Sequence, residues 1–368
     1  MKVALIGNTD LAIYNYRYEL LQRLLADGHS VVVISPNGQY VPEMKAMGCD
    51  YHEVNIDRHG TNPLKDLKVI KAYKRILKEV KPDYVLTYTI KPNIYGAMAC
   101  KKLGIPCIPN VTGLGTAVEI KGWKQKLTVF LYKRAFKKVQ TIFFQNAENM
   151  QFFIDRNLFV EKHKLLPGSG VNLERFKPTE YPSDETVNFV FVSRLMKEKG
   201  IEQYLDAAEY ITSKYPKARF HICGFCEEEY KNRLEAITKS DKVIYHGMVQ
   251  DMTTVLCDMH CTVHPTFYPE GLSNVLLESL ACGRPIITTD RAGCREVVED
   301  GINGYIVKQQ DSTDLIEKIE NFLSLTNEER KSMGLAGREK VEREFDRQFV
   351  IDAYLKEMNT REKELAEI

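Results

Sequence analysis

Short β-branched runs alternate with longer amphipathic stretches along this chain, and the alternation occurs twice. No other feature constrains the fold as strongly. Parallel strands cannot be joined by a tight turn, so apolar runs separated by helical periods mean a parallel sheet with crossover helices. In the first half the pattern predicts strands at Lys2–Ile6, Ser30–Ile34, Tyr51–Val54, Tyr84–Thr87, Cys107–Pro109 and Thr141–Phe144. Helices over Tyr14–Ala26, Leu64–Val80 and Asn93–Lys102 lie between them. The segment Leu165–Pro182, rich in Pro and Gly, reads as an interdomain linker. The alternation then restarts, with strands at Val187–Val192, Arg219–Cys223, Val243–Tyr245, Cys261–His264, Ile286–Thr288 and Tyr305–Val307. Helices are predicted at Ile201–Lys214, Glu227–Lys239, Asp251–Cys257, Ser273–Ala281 and Leu315–Leu323, and a charged helical tail covers Asn327–Ile368. At 368 residues the chain exceeds a single ordinary core. The expected architecture is α/β: two Rossmann-like, doubly wound domains facing across a cleft. They comprise residues 1–170 and 171–346, with a last helix at about 347–368 packing back on the first.

The two halves differ in charge. Residues 1–180 carry 27 Lys and Arg against 16 Asp and Glu, whereas residues 181–368 carry 24 against 34. A basic half faces an anionic partner, and nucleic acid, an anionic bilayer or a phosphorylated substrate would each fit. No run of about 18 apolar residues occurs, which excludes a membrane span. The apolar start of the chain reaches Gly7, Asn8 and Asp10 too early for a signal-peptide core, so it reads as a first buried strand. Nine scattered cysteines, an odd number, argue against a disulfide framework and for a reducing, cytoplasmic setting.

Two constellations carry chemistry. Ser193–Gly200, SRLMKEKG, follows the first strand of the second half, where Arg194 and Lys199 are placed to hold a diphosphate. Glu270 and Glu278 stand eight positions apart in EGLSNVLLE, which enters an apolar helix. Gly271, Leu272, Ser273 and Asn274 would lie at that helix's N-terminus, where free N–H groups and the positive dipole end favour phosphate. Eight residues span about 12 Å of helix axis, so the two carboxylates would reach hydroxyls at two places on an extended ligand. Either motif alone could be a solvated charged surface. Both at strand ends, in this order, are harder to ascribe to chance.

These motifs, with the linker PGSGVNLERF, resemble the retaining glycosyltransferase family 4, of GT-B fold, over nearly the whole chain. The resemblance implies that Arg194 and Lys199 bind the donor's diphosphate, Glu278 its ribose hydroxyls and Glu270 its sugar. It implies that backbone around Gly271–Asn274 cradles phosphate and sugar. Gly224 matches the glycine after the domain's second strand, and Gly247 and Met248 match the loop against the base. No Asp-x-Asp occurs, so the expectation is no metal and no cofactor, with a UDP-sugar as substrate.

The first half resembles a narrower group that extends sugars on undecaprenyl diphosphate, through Ile13–Arg17, Tyr88–Gly96 and Asn110–Glu119. That analogy implies Arg17, Arg58 and Lys91 at the acceptor diphosphate. Gly113 and Gly115 would let backbone approach the ligand. Glu119 becomes the candidate acidic group beside the acceptor hydroxyl, with Glu270 the other catalytic candidate. Many relatives have a histidine near the position of Thr89, which this chain lacks; the leaving diphosphate could itself take the proton. The basic amphipathic segment Lys121–Gln140 suits an anionic bilayer surface, with Trp123, Lys124, Lys126, Phe130, Lys133, Arg134 and Lys137 as contacts. The alternative is a helix packed on its domain with a solvated basic face.

The expected function is therefore transfer of a sugar from a UDP-sugar, such as a UDP-N-acetylhexosamine or a hexose donor, to an undecaprenyl-diphosphate-linked saccharide. The site would be peripheral, at the inner face of the cytoplasmic membrane. Other classes of this architecture are a nucleotide-sugar 2-epimerase and a non-catalytic nucleotide-sugar-binding protein. A nucleic-acid partner is not expected, because no recognition-helix, finger or RNA-platform signature accompanies the charge. Cys223-Gly-Phe-Cys226 with Cys257, His260, Cys261 and His264 invites a zinc site, but strand alternation would scatter them, and buried small hydrophobes are the expectation. His264 would line the cleft at its strand end. No G-x-G-x-x-G follows the first strand, which disfavours a dehydrogenase. Oligomeric state, sugar identity and linkage are not legible.

Overall fold

The computed structural model describes residues 1–57, 62–119, 121–139, 141–158 and 162–366. The chain divides into two compact units, Met1–Ser169 with Gln348–Ile368, and Gly170–Arg347.

The first unit runs β1 (Lys2–Ile6), α1 (Asp10–Ala26), β2 (Ser30–Ser35), α2 (Val41–Ala46), β3 (Asp50–Glu53), α3 (Pro63–Val80) and β4 (Tyr84–Tyr88). It continues with α4 (Ile90–Leu103), β5 (Cys107–Val111), α5 (Thr116–Glu119), α6 (Trp123–Ala135), β6 (Ile142–Phe144), α7 (Ala147–Asp155) and β7 (His163–Leu165). The strands form one parallel sheet in the order β3-β2-β1-β4-β5-β6-β7. Because β1, β2, β4 and β5 are covered on both faces, they are almost entirely apolar rather than alternating. One core forms under α3, α4, α6 and the stretch after it, the other under α1 and α2. Phe136, just past α6, is buried in the first of these cores beside Tyr132 and Phe153.

The second unit runs β8 (Val187–Val192), α8 (Ile201–Lys214), β9 (Ala218–Cys223), α9 (Lys231–Ile237), β10 (Val243–Gly247), α10 (Thr253–Leu256) and β11 (Cys261–His264). Then follow α11 (Asn274–Ala281), β12 (Ile286–Thr289), β13 (Gly304–Val307), α12 (Ser312–Ser324) and α13 (Asn327–Glu344). Its sheet is also parallel, in the order β10-β9-β8-β11-β12-β13. The charged tail is two helices: α13 stops at Phe345 and Asp346 bridges to Val171 before α14 (Arg347–Ala366) begins. That last helix belongs to the first unit. Val350, Ile351, Tyr354, Leu355 and Met358 enter the core of α1 and α2, and Asn110 Nδ2 donates to Tyr354 Oη at 2.8 Å.

Candidate active site

In the second unit the strand order reverses between β8 and β11, and ligands of open α/β sheets bind beyond the strand carboxyl ends at such a point. The chain leaves β8 through Ser193–Lys199 and enters α8 at Gly200. Ser193 N–H donates to Cys223 C=O at 3.0 Å and Leu195 N–H to Phe225 C=O at 2.8 Å, so the turn is pinned to the end of β9. Gly200 has φ +78° and Gly224 φ +140°; a Cβ on the first would collide with Pro265 C=O, and on the second with Ser193 C=O. Glycine is therefore required where these three strand ends crowd together.

Arg194 is half exposed, its Nη1 3.7 Å from Glu227 Oε1. Lys199 turns inward. Its Nζ pairs with Glu270 Oε1 and lies 4.8 Å from the ring centre of Tyr268; only 14% of its side chain and 18% of that of Glu270 are exposed. The two residues assigned from the sequence to separate parts of a donor are thus in contact. Beyond Glu270 the loop abuts Gly293, whose Cβ position would lie 2.8 Å from Glu270 Cβ, and Ser273 N–H donates to Gly293 C=O at 2.8 Å. Asn274 opens α11, and its Oδ1 is buried without a hydrogen-bond partner among the described residues. Gly271 and Leu272 are buried beneath this turn. Glu278, a little over one turn into α11, is mostly buried, and that burial pushes its carboxyl up to about 7 against the opposing charges of Arg347 and Arg175. Gly247, φ +67°, ends β10 and accepts from Gly224 N–H at 2.7 Å, while Met248 beside it is exposed.

The sequence underrated several residues here. His264 does not line an open edge: it is buried, with both ring nitrogens lacking partners among the described residues. Burial and the nearby Lys199 hold its imidazole down to about 3, hence neutral. Thr266 Oγ1 donates to Glu198 C=O at 3.2 Å and Thr289 Oγ1 to Thr266 C=O at 2.5 Å, tying the lysine turn to the ends of β11 and β12. Only their position just after a strand could have marked them. The nine cysteines carry no disulfide, and burial raises the thiols of Cys223, Cys257 and Cys261. No group of three His, Cys, Asp or Glu suited to a metal occurs among the described residues.

In the first unit the sheet order reverses between β1 and β4. Arg17 is buried at 3% exposure, its guanidinium 4.5 Å over the ring of Tyr88 and its Nη1 donating to Tyr16 C=O at 2.7 Å. Lys91 Nζ pairs with Asp66 Oδ1 at 2.9 Å. Arg58 lies outside the described residues. The three cations named for an acceptor diphosphate are therefore not shown gathered at one point. Gly113 (φ +144°) and Gly115 (φ +65°) shape the loop after β5, where a Cβ on Gly115 would stand 3.2 Å from Ile90 Cδ1. Glu119 is exposed on the single turn of α5. Thr89, just after β4, has φ +70° and leaves its hydroxyl buried without a partner among the described residues, a strain that spacing does not announce. On α6, Trp123, Lys124, Lys126, Phe130, Lys133 and Arg134 are all exposed, as is Lys137 in the turn after it.

Comparison with known proteins follows this division. Residues 174–340 match the model described as glycosyl transferases group 1, and residues 2–146 the model described as glycosyl transferase 4-like. The chain is 26% identical over 376 residues to the N,N'-diacetylbacillosaminyl-diphospho-undecaprenol alpha-1,3-N-acetylgalactosaminyltransferase of Campylobacter jejuni, covering 97% of this chain and 98% of that one. It is also 26% identical over 277 residues to the UDP-Gal:alpha-D-GlcNAc-diphosphoundecaprenol alpha-1,3-galactosyltransferase of Escherichia coli, covering 70% of each. Among solved structures, Anabaena HepE in complex with UDP superposes with a TM-score of 0.76 at 16% identity over 100% of both chains.

Proposed function

Since the chain belongs to the GT-B glycosyltransferases, with a group 1 domain in its second unit and a family 4-like domain in its first, we propose that it moves a sugar from a UDP-sugar to a saccharide carried on undecaprenyl diphosphate. The observation that carries this reading is the full-length likeness to the Campylobacter transferase, whose name carries a sugar on diphospho-undecaprenol. The Escherichia coli relative names both a UDP-sugar and a diphosphoundecaprenol-linked sugar.

The donor's diphosphate binds Arg194 and Lys199, whose fixed positive charges stabilise the departing UDP. It competes with Glu270 for the Lys199 ammonium, and the released carboxylate turns to the sugar hydroxyls. Glu278 accepts from the ribose hydroxyls, and the amides from Gly271 to Asn274 cradle phosphate and sugar. Gly224, Gly247 and Met248 flank the base. On the acceptor side, backbone at Gly113 and Gly115 approaches the saccharide and Glu119 lies beside the attacking hydroxyl, with the leaving diphosphate as the other proton acceptor. Transfer proceeds with retention and takes neither metal nor cofactor. The first unit works on the inner face of the cytoplasmic membrane, its α6 lying against anionic lipid. Among the described residues, no helix is long and apolar enough to cross a membrane.

The test offers purified protein a panel of UDP-, GDP- and dTDP-sugars with and without undecaprenyl-diphosphate-linked saccharides, in the presence and absence of EDTA. Lipid-dependent release of UDP from one donor, unaffected by chelation, is the expected result. Donor consumption without an acceptor would contradict it.

A further inference from the structure

His264 ends β11, one of the two strands that flank the switch point of the second sheet, and is only 2% exposed. Neither of its ring nitrogens has a partner among the described residues. A neutral imidazole carries one N–H and one lone pair, and burying both unmet costs free energy that an apolar side chain would not. The polar groups around it show no such deficit. Thr262 Oγ1 accepts from Ser279 Oγ at 2.7 Å, and Thr288 Oγ1 donates to His264 C=O at 2.9 Å.

The charge that acts on this imidazole is that of Lys199. Their two segments run side by side. Phe267 N–H donates to Glu198 C=O at 2.9 Å, Thr266 Oγ1 donates to the same carbonyl at 3.2 Å, and a Cβ on Gly200 would stand 2.1 Å from Pro265 C=O. The residues on either side of Lys199 therefore touch those that follow His264. An ammonium has three N–H groups. That of Lys199 has one acceptor among the described residues, Glu270 Oε1, with the ring centre of Tyr268 4.8 Å away. A mostly buried cation with donors to spare thus lies beside a buried ring with a free lone pair. Burial and the lysine's charge hold the imidazole down to about 3, so that lone pair is present throughout neutral pH. Phe191, buried and 6.3 Å away ring to ring, places His264 in packed core, where it can serve as a fixed point.

We propose that His264 is a positioning residue for Lys199: once a nucleoside diphosphate has drawn the ammonium off Glu270, the imidazole lone pair accepts one of its N–H groups and holds it against the phosphates. This inference rests on the donor reading of the site and adds to it the group that steadies the cation. No proton is transferred, and the ring stays neutral. A histidine with no part in donor binding would gain nothing here over leucine, which leaves no polar atom unmet.

The test compares His264→Leu, which removes the acceptor, with His264→Gln, which keeps one, by UDP titration calorimetry and by the thermal midpoint of the donor-free chain. UDP binding about tenfold weaker in His264→Leu is expected, the worth of one hydrogen bond to a charged group. Recovery of binding in His264→Gln is expected, and a midpoint in His264→Leu no lower than that of the original chain. Nitrogen NMR of the original chain needs no folded variant at all. The unprotonated ring nitrogen of His264 should move upfield on UDP addition, as a lone pair does on accepting a hydrogen bond. UDP affinity unchanged in His264→Leu, or a loss that His264→Gln does not restore, would overturn the proposal. A shift of the protonated nitrogen alone would also overturn it, by placing the ring on the phosphate instead of on Lys199. If the original chain binds no UDP, the donor reading falls together with this inference; if it binds UDP and the His264 resonances stay still, only the inference falls.

Discussion

Lys199 and Glu270 neutralise one another in a mostly buried pair, so each substitution there has both a stability and an activity consequence. Glu270→Ala leaves the ammonium without its carboxylate, and a loss of about 1–3 kcal/mol in denaturant midpoint analysis is expected. Transfer should fall by about 10²–10³-fold while UDP binding by titration persists, because Arg194 and Lys199 remain. Loss of UDP binding together with turnover would place Glu270 at the diphosphate instead. Glu278 makes a separate pH prediction. Its carboxyl is raised to about 7 by burial, and only the ionised form accepts from both ribose hydroxyls. The KM for donor should therefore fall as pH rises from 6 to 8, and Glu278→Gln should remove that dependence. Stability runs the other way. A carboxyl raised on folding favours the folded state below its unfolded value, and that contribution is lost as pH rises through about 7. Without donor the chain should be less stable at pH 8 than at pH 6, by about 1 kcal/mol once residual exposure is allowed for. His264, Thr89 and Arg17 show what residue types alone do not reveal. Their orphaned or ring-stacked polar groups depend on packing from elements far off in sequence.

At the scale of elements, glycines decide whether the donor turn can form. Gly200→Ala would force an L-residue to φ +78° at about 1–2 kcal/mol and add a collision with Pro265 C=O. A lowered thermal midpoint and a raised donor KM are expected together; an unchanged KM would mean that the turn does not position Lys199. Long periodic elements were legible from the sequence, and α8, β1, β8 and β11 stand at the predicted ends. Short or weakly patterned ones were not. The strand β7 is three residues, two of them basic or imidazole, and its pairing with β6 comes from the sheet rather than from its own composition. The helix α2 is six residues opening with Pro at its first turn, too short for a period to show. A last helix at about 347–368 was read from the sequence, but not what parts it from α13: Val171 N–H bonds to Phe345 C=O at 2.9 Å and Arg347 N–H to Val171 C=O at 3.0 Å, both non-local.

At the scale of the whole molecule, the first unit is completed by a segment from the far end of the chain. Tyr84 Oη donates to Met358 C=O at 2.8 Å, Thr141 Oγ1 bonds to the carboxylate of Glu357, and Tyr354 is buried against Phe143. Removing residues 348–368 should expose that core and give an insoluble or dye-binding product, whereas Tyr354→Ala should cost about 3–5 kcal/mol by urea denaturation. A truncated chain with an unaltered unfolding transition would show that α14 is an accessory. The charge division also belongs to this scale: basic residues concentrate in the half that carries α6 with its exposed Trp123 and Phe130, and acidic ones in the other. The central claim is that the chain is a transferase with a lipid-diphosphate acceptor, and the most direct measurement is UDP release from a panel of UDP-sugars with and without undecaprenyl-diphosphate-linked saccharide. The account predicts release from one donor only when the lipid acceptor is present, abolished in Lys199→Ala. Equal release with and without acceptor, or none from any donor, would contradict it.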